Sequence, residues 1–147
     1  MLKRCFDKYI NCILGTITYQ DLKEGLESDS ILLVDVRRRS EVASSGKIPK
    51  SFNVPIQEIL RGDAFELINS NFKMRYGFEK PKKSVEFIVS GESRKISLKA
   101  GKYMKSLGYQ RVKIYKGGVK DWIKNGGVII KGTGKSLLNK VKSFIYL

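Results

Sequence analysis

Few residues of this chain are able to do covalent chemistry. Cys5 and Cys12 are its only thiols, and it contains no histidine. The lack of histidine excludes Ser-His-Asp and Cys-His catalysis and every zinc site that needs imidazole. On a helix the two thiols would lie roughly 10 Å apart, too far for a mutual disulfide. We therefore expect inert thiols in a reducing, intracellular setting, cytoplasmic with mitochondrial as the alternative, and neither a metal nor a cofactor.

The segment GTGKS at residues 132–136 has the composition of a phosphate-binding loop. The nucleotide-binding pattern requires a glycine five residues before Gly134, where Ile129 stands, and a complete α/β domain downstream. Only eleven residues follow Ser136. The sequence therefore predicts no nucleotide site.

The positive charge of the chain is concentrated in its last third. The net charge is +15, and residues 93–147 contain 14 lysines and arginines against one acidic residue, Asp121. Such asymmetry favours attraction to an anionic partner, although a solvated lysine-rich surface explains it equally well. RNA is the weakest candidate because no stacking-aromatic signature accompanies the charge, and we expect no DNA binding.

The hydrophobic pattern predicts alternating strands and helices. Strands are expected at residues 31–36, 51–54, 85–89 and 111–115. Helices are expected at 19–27, 39–45, from Ile96 to Leu107 and around Trp122, with short helical turns over 57–83. This order indicates an α/β fold with a mostly parallel sheet. Function is then expected at the carboxyl ends of the strands.

Two terminal segments flank this pattern. Residues 1–15 are basic and amphipathic, which predicts either a helix docked on the domain or a mitochondrial presequence. Residues 128–147 form a basic amphipathic extension, expected to end in a helix that caps the domain, with membrane-surface binding as the alternative. No apolar run approaches the roughly 20 residues of a transmembrane helix. The pattern leaves the oligomeric state open.

Four motifs in a fixed order resemble the rhodanese homology family, most closely the small single-domain thiosulfate sulfurtransferase-like proteins of animals. They are DVRRRSE (35–41), GKIPKSFNVP (46–55), FKMRYGFEKP (72–81) and SLGYQRVKIYKGGVKDW (106–122). The resemblance covers residues 16–127. It implies a rhodanese-like α/β domain with a central, mostly parallel five-stranded sheet flanked by helices.

The resemblance also places the family's active-site loop between Val89 and Ile96. In the family a strand delivers a cysteine onto this loop, whose backbone N–H groups surround the sulfur and lower the pKa of the thiol. The family pattern is cysteine, two residues, glycine, one residue, arginine. Here the three positions hold Gly91, Arg94 and Ile96. A serine hydroxyl cannot replace the thiolate, so we predict no catalytic residue and an inactive protein, with sulfurtransferase activity as the alternative.

The altered loop is still able to bind. Its N–H groups, with the cations beside them, are expected to hold sulfate, phosphate, thiosulfate or an acidic protein side chain, with Glu92 opposing this. The alternative is a loop that only connects strand to helix. The candidate residues are Ser90, Gly91, Glu92, Ser93, Arg94, Lys95 and Ile96. The resemblance further implies a set of structural ion pairs behind the loop, Asp35, Arg37 and Glu41, and we expect Tyr115 and Trp122 in the core.

Overall fold

The computed structural model describes residues 14–132. The predicted terminal helices, in residues 1–13 and 133–147, lie outside this part of the chain. Five strands are formed within it: β1 (Gly15–Thr16), β2 (Leu32–Asp35), β3 (Phe52–Asn53), β4 (Glu86–Ser90) and β5 (Arg111–Ile114). The helices are α1 (Tyr19–Glu27), α2 (Arg39–Ser45), α3 (Ile56–Leu60), α4 (Asn69–Tyr76), α5 (Arg94–Ser106) and α6 (Gly118–Lys124).

The strands form one sheet in the order β1-β5-β4-β2-β3, and every pair of neighbouring strands is parallel. The predicted five-stranded α/β architecture is therefore confirmed. Asp35 pairs with Ser90, and Val89 pairs with Ile114, so β2, β4 and β5 end at the same level. The loops that follow these strands consequently meet at one edge, which we call the carboxyl edge.

Helix boundaries follow local signals in the sequence. The Thr18 hydroxyl accepts a hydrogen bond from the Asp21 N–H at 3.1 Å and caps α1, which begins at residue 19 as predicted. Gly46 ends α2 with a positive φ of 83°, a conformation that glycine adopts without steric cost. Gly108, with φ of 96°, directly follows the last turn of α5. Short-range sequence chemistry therefore sets these ends.

The sheet separates two hydrophobic clusters. One contains Ala100 and Met104 of α5 together with an aromatic group between α4 and the sheet: Phe65, Phe72, Phe78, Phe87 and Tyr109. The other contains Leu22 and Leu26 of α1 and Trp122 of α6, packed against Leu33, Ile88 and Tyr115. Both faces of β2 and β4 are thus covered, which explains why these strands are almost continuously apolar. Tyr115 and Trp122 are core residues, as predicted.

Two features of the fold were not anticipated. The two-residue strand β1 is too short to show a pattern, and it is defined by its pairing with β5. Ile130 forms an antiparallel bridge with Lys47, and the Trp122 indole N–H donates to the Val128 carbonyl at 2.8 Å. The extension after α6 therefore begins by packing on the domain. Within residues 14–132, no helix has the length and apolarity needed to cross a membrane.

Candidate functional site

The loop after β4 joins the strand to α5 in three residues, 91–93. Ser90, the last residue of β4, is buried, and its carbonyl accepts from the Val36 N–H at 2.8 Å. Ser93 then caps α5: its hydroxyl accepts from the Ile96 N–H at 3.3 Å, and its carbonyl accepts from the Ser97 N–H at 3.1 Å. The strand and the helix therefore hold the loop firmly at both ends.

Gly91 is buried, and the space beside it is too tight for a Cβ atom unless its neighbours shift slightly. A Cβ atom at this position would lie 3.0 Å from Ser97 Oγ, 3.2 Å from Val36 Cγ2 and 3.3 Å from Ile96 Cγ2. Contacts this close to a Cβ atom require the neighbours to move by a few tenths of an ångström. The position where the family pattern puts cysteine is thus filled from three sides.

Two of the hydroxyl groups near Gly91, those of Ser93 and Ser97, have structural roles. Ser93 is the N-cap of α5, and the Ser97 hydroxyl donates to the Ser93 carbonyl at 3.1 Å. No cysteine or histidine occurs between residues 14 and 132. Within the same residues no cluster of acidic side chains is arranged to hold a metal ion. The described loop therefore presents neither a thiol nor an imidazole to a substrate.

The exposed part of the loop is polar and charged. Glu92, Arg94 and Lys95 are exposed, and none of their side chains has a hydrogen-bond or ion-pair partner in the described part of the chain. The backbone N–H groups of residues 92–95 also meet no acceptor there. Free N–H groups at a helix start attract anions, and the Glu92 carboxylate repels them.

An open depression of about 230 Å³ lies between this loop and the loop after β2. Both signs of charge line it: Arg37 and Arg38 are cationic, and Glu41 and Glu92 are anionic. Val36, Ile56 and Ile96 form its apolar floor. The mixed charge does not select a small anion.

Asp35 and Arg37 form a buried ion pair behind the loop. Arg37 Nε lies 3.0 Å from Asp35 Oδ1, and Arg37 Nη2 lies 2.7 Å from Asp35 Oδ2. The guanidinium also donates to the Ser45 hydroxyl at 2.7 Å and to the Gly46 carbonyl at 2.8 Å. This pair therefore connects the end of β2 to the end of α2.

Glu41 does not join this pair, contrary to the expected set. Its carboxylate accepts from the backbone N–H of Arg38 at 2.8 Å and so closes the first turn of α2. A carboxylate three residues into a helix is placed to reach back to the cap residue, because the free N–H groups of the first turn lie there. Glu41 is a helix-capping residue in this fold.

Two further residues support the carboxyl edge. The Asn53 side chain donates to the carbonyls of Asp35 and Arg37, both at 2.9 Å, and fixes the loop after β2. Glu58 accepts from Arg39 and, at 2.6 Å, from the Tyr76 hydroxyl. The hydrogen bond from Arg39 is the main cause that lowers the pKa of Glu58, while partial burial opposes it. Asn53 belongs to a motif visible in the sequence, whereas Glu58 lies in a stretch without one.

Comparison with known proteins agrees with this architecture. A family model of the rhodanese-like domain matches residues 18–125. The chain belongs to the rhodanese-like domain family. The matched range contains the whole sheet except β1, together with the strand–loop–helix at Gly91.

The relatives include proteins named for sulfur transfer. The rhodanese domain-containing protein CG4456 of Drosophila melanogaster is 38% identical over 111 residues, which cover 76% of this chain and 98% of that protein. A thiosulfate:glutathione sulfurtransferase of Saccharomyces cerevisiae is 36% identical over 116 residues, covering 78% of this chain and 81% of the relative. The solved structure of the human single-domain sulfurtransferase TSTD1 matches with a TM-score of 0.69 and 30% identity, covering 76% of this chain and 97% of that one.

Proposed function

We propose that this chain is a rhodanese-like domain without sulfurtransferase activity, acting as a binding or regulatory module for an anion or an acidic protein. The observation that supports this most directly is Gly91. It stands where the resemblance places the sulfur-carrying cysteine, and Ser97, Val36 and Ile96 fill the space around it.

The chemistry of sulfur transfer makes this position decisive. A sulfane sulfur is held as a persulfide, which requires a thiolate at the end of a strand and N–H groups around it. Residues 14–132 contain no thiol. The Ser93 hydroxyl caps α5, and an alcohol forms no stable counterpart of a persulfide.

The test of inactivity is a thiosulfate:cyanide assay on the full chain and on the Cys5→Ser/Cys12→Ser variant. We expect no thiocyanate above the blank from either protein. Cyanide-dependent turnover by the unaltered chain would refute the proposal. If that turnover survived in the double variant, the nucleophile would be a residue other than the two thiols.

A reconstruction of the family pattern supplies the positive control. We expect Gly91→Cys alone to add little activity, because its side chain meets Ser97 and Ile96. Gly91→Cys/Arg94→Gly/Ile96→Arg restores all three positions and is expected to gain turnover. A folded triple variant with no activity would show that the inactivity has another cause.

Anion binding is tested by isothermal titration with sulfate, phosphate and thiosulfate, alongside a pull-down of protein partners at two salt concentrations. The unpaired N–H groups of residues 92–95 support binding of an anionic group at this loop. If the chain bound none of these anions and captured no partner, the proposed binding role would be contradicted.

Sulfurtransferase activity is the second candidate, and the names of the relatives favour it. Turnover by the unaltered chain decides between the two, and the cysteine variant then shows whether either thiol is the nucleophile. We place the protein inside the cell, in the cytoplasm, with the mitochondrion as the alternative. Fractionation of cells that express the tagged chain tests this assignment.

A further inference from the structure

We propose that the partner of this module is an acidic protein segment that binds across two adjacent loops of the carboxyl edge. This inference rests on the proposed function and names its partner. The surface consists of Arg94, Lys95, Lys116 and Lys120, which we call the basic edge.

The two loops that form the basic edge are in contact. A Cβ atom on Gly118 would lie 2.6 Å from the carbonyl oxygen of Gly91. Arg94 and Lys95 open α5 on one side of this contact, while Lys116 and Lys120 flank it on the other. Helices α5 and α6 pack on opposite faces of the sheet, and their first turns converge here.

The four cations of the basic edge are available to a partner. All four are exposed, and in residues 14–132 none of them forms a hydrogen bond or an ion pair. On β5 itself, by contrast, Arg111 and Lys113 bind Glu86 at 2.7 and 3.0 Å. Two carboxylates oppose the positive charge here, Glu92 and Asp121, and the Asp121 carboxylate is held by the Tyr115 hydroxyl.

The geometry favours an extended ligand over a small anion. The Ile96 N–H is already bound to Ser93 and neighbouring side chains crowd Gly91, so a small anion would meet only the N–H groups of residues 92–95, beside the Glu92 carboxylate. The adjoining depression is open and contains Glu41 and Glu92. Exposed ion pairs are individually weak, so useful affinity requires several carboxylates that meet several cations together.

The same surface does not suit RNA. Binding of single-stranded nucleic acid combines backbone charge with exposed aromatic rings on which bases stack. The two aromatic residues in the segment that carries Lys116 and Lys120, Tyr115 and Trp122, are only 2% and 6% exposed. Binding of an acidic peptide requires the exposed positive charges but no exposed aromatic rings.

The experiment measures fluorescence anisotropy of a labelled 12-residue glutamate-rich peptide with the full chain at two salt concentrations. We expect saturable binding that weakens as salt rises. Arg94→Ala/Lys95→Ala and Lys116→Ala/Lys120→Ala should each lower the affinity about fivefold, and the fourfold variant more. The matched control is Lys23→Ala/Lys82→Ala, which removes two exposed charges away from the carboxyl edge, one on α1 and one before β4, and should change affinity less than about twofold.

Circular dichroism of each variant confirms that it is folded. An equal loss in the Lys23/Lys82 control would show that only net charge matters and would overturn the proposal. A 12-residue oligouridine that binds more tightly than the peptide, or anionic phosphatidylserine vesicles that bind through the same four residues, would overturn the choice of partner. Stoichiometric phosphate binding without peptide binding would refute this inference and leave the proposed function intact. Sulfurtransferase turnover would refute the proposed function, whether or not the peptide binds.

Discussion

The backbone carbonyl of Gly91 lies directly against Gly118. The space between them admits no Cβ atom, since one on Gly118 would lie 2.6 Å from that oxygen. Gly118 also has a φ of 60°, in the left-handed region. This contact joins the loops after β4 and β5, which together carry the basic edge.

Replacing Gly118 with alanine should therefore lower the unfolding free energy by more than backbone strain alone would. The matched control is Gly77→Ala, at a position with φ of 79° and nothing within 4 Å of the added Cβ. The control should lose about 1–2 kcal/mol of unfolding free energy in urea, and Gly118→Ala about 1–3 kcal/mol more because the Gly91 carbonyl must move. Equal losses would contradict the close contact.

Asp35→Asn should destabilise the domain strongly. Asp35 and Arg37 are 3% and 8% exposed, so neutralising the carboxylate leaves a buried guanidinium without its counter-charge. We expect a loss of about 3 kcal/mol or more in urea unfolding. Asp29→Asn is the control, because the Asp29–Lys50 pair is exposed and should contribute less than about 1 kcal/mol. A similar loss in both variants would contradict a special role for burial.

Glu58 should make stability depend on acid pH. Its folded-state pKa lies below the ordinary value of 4.5 because Arg39 and Tyr76 donate to the ionised carboxylate. The ionised group therefore stabilises the fold above about pH 4.5, and this contribution is lost as pH falls through the lowered pKa. Glu58→Gln should unfold about 1 kcal/mol more easily at pH 7 and should show a shallower decline toward acid pH.

The pH series is compared with Glu79→Gln as control. Glu79 pairs with Lys73, and both side chains are exposed, so this variant should follow the unaltered protein across the acid range. If the stability of Glu58→Gln and of the unaltered chain declined in parallel as pH falls, Glu58 would not be the cause of the pH dependence.

Gly91→Ala tests the packing around the altered site. Its Cβ would lie 3.0 Å from Ser97 Oγ, so we expect a loss of about 1 kcal/mol in urea unfolding. The same substitution in a Ser97→Ala background should cost less by about 0.5 kcal/mol, because the opposing oxygen is gone. Additive effects in this double-mutant cycle would mean that Ser97 does not restrict the site.

Much of the fold follows from local patterns in the sequence. The continuous apolar run before Asp35 predicts a buried strand, Thr18 predicts the start of α1, and Gly46 predicts the end of α2. These features depend on residues a few positions apart, which is the range over which hydrogen bonds at helix ends and side-chain periodicity act. The two-residue strand β1 has no such pattern, since it exists only through its pairing with β5.

The candidate site was predictable in its composition but not in its geometry. Counting along the motifs places Gly91, Arg94 and Ile96 at the positions that carry chemistry in the family. The role of Glu41 was misjudged because a carboxylate near Arg37 is able to pair with it or to cap a helix, and the choice depends on side-chain directions at the turn. No motif marks Glu58.

The sequence by itself determined which chemistry is missing, because it contains no histidine and both thiols lie outside the motif-bearing region. It also determined that nearly all the charged residues of the last third are basic. Only the tertiary structure decided that Ser97 and Val36 close the space at Gly91, and that lysines after β5 lie beside the start of α5. The types of residues present can be read directly from the sequence. Contacts between Val36, Gly91 and Gly118 instead arise from the order of strands in the sheet and from close packing, in which a shift of a few tenths of an ångström matters.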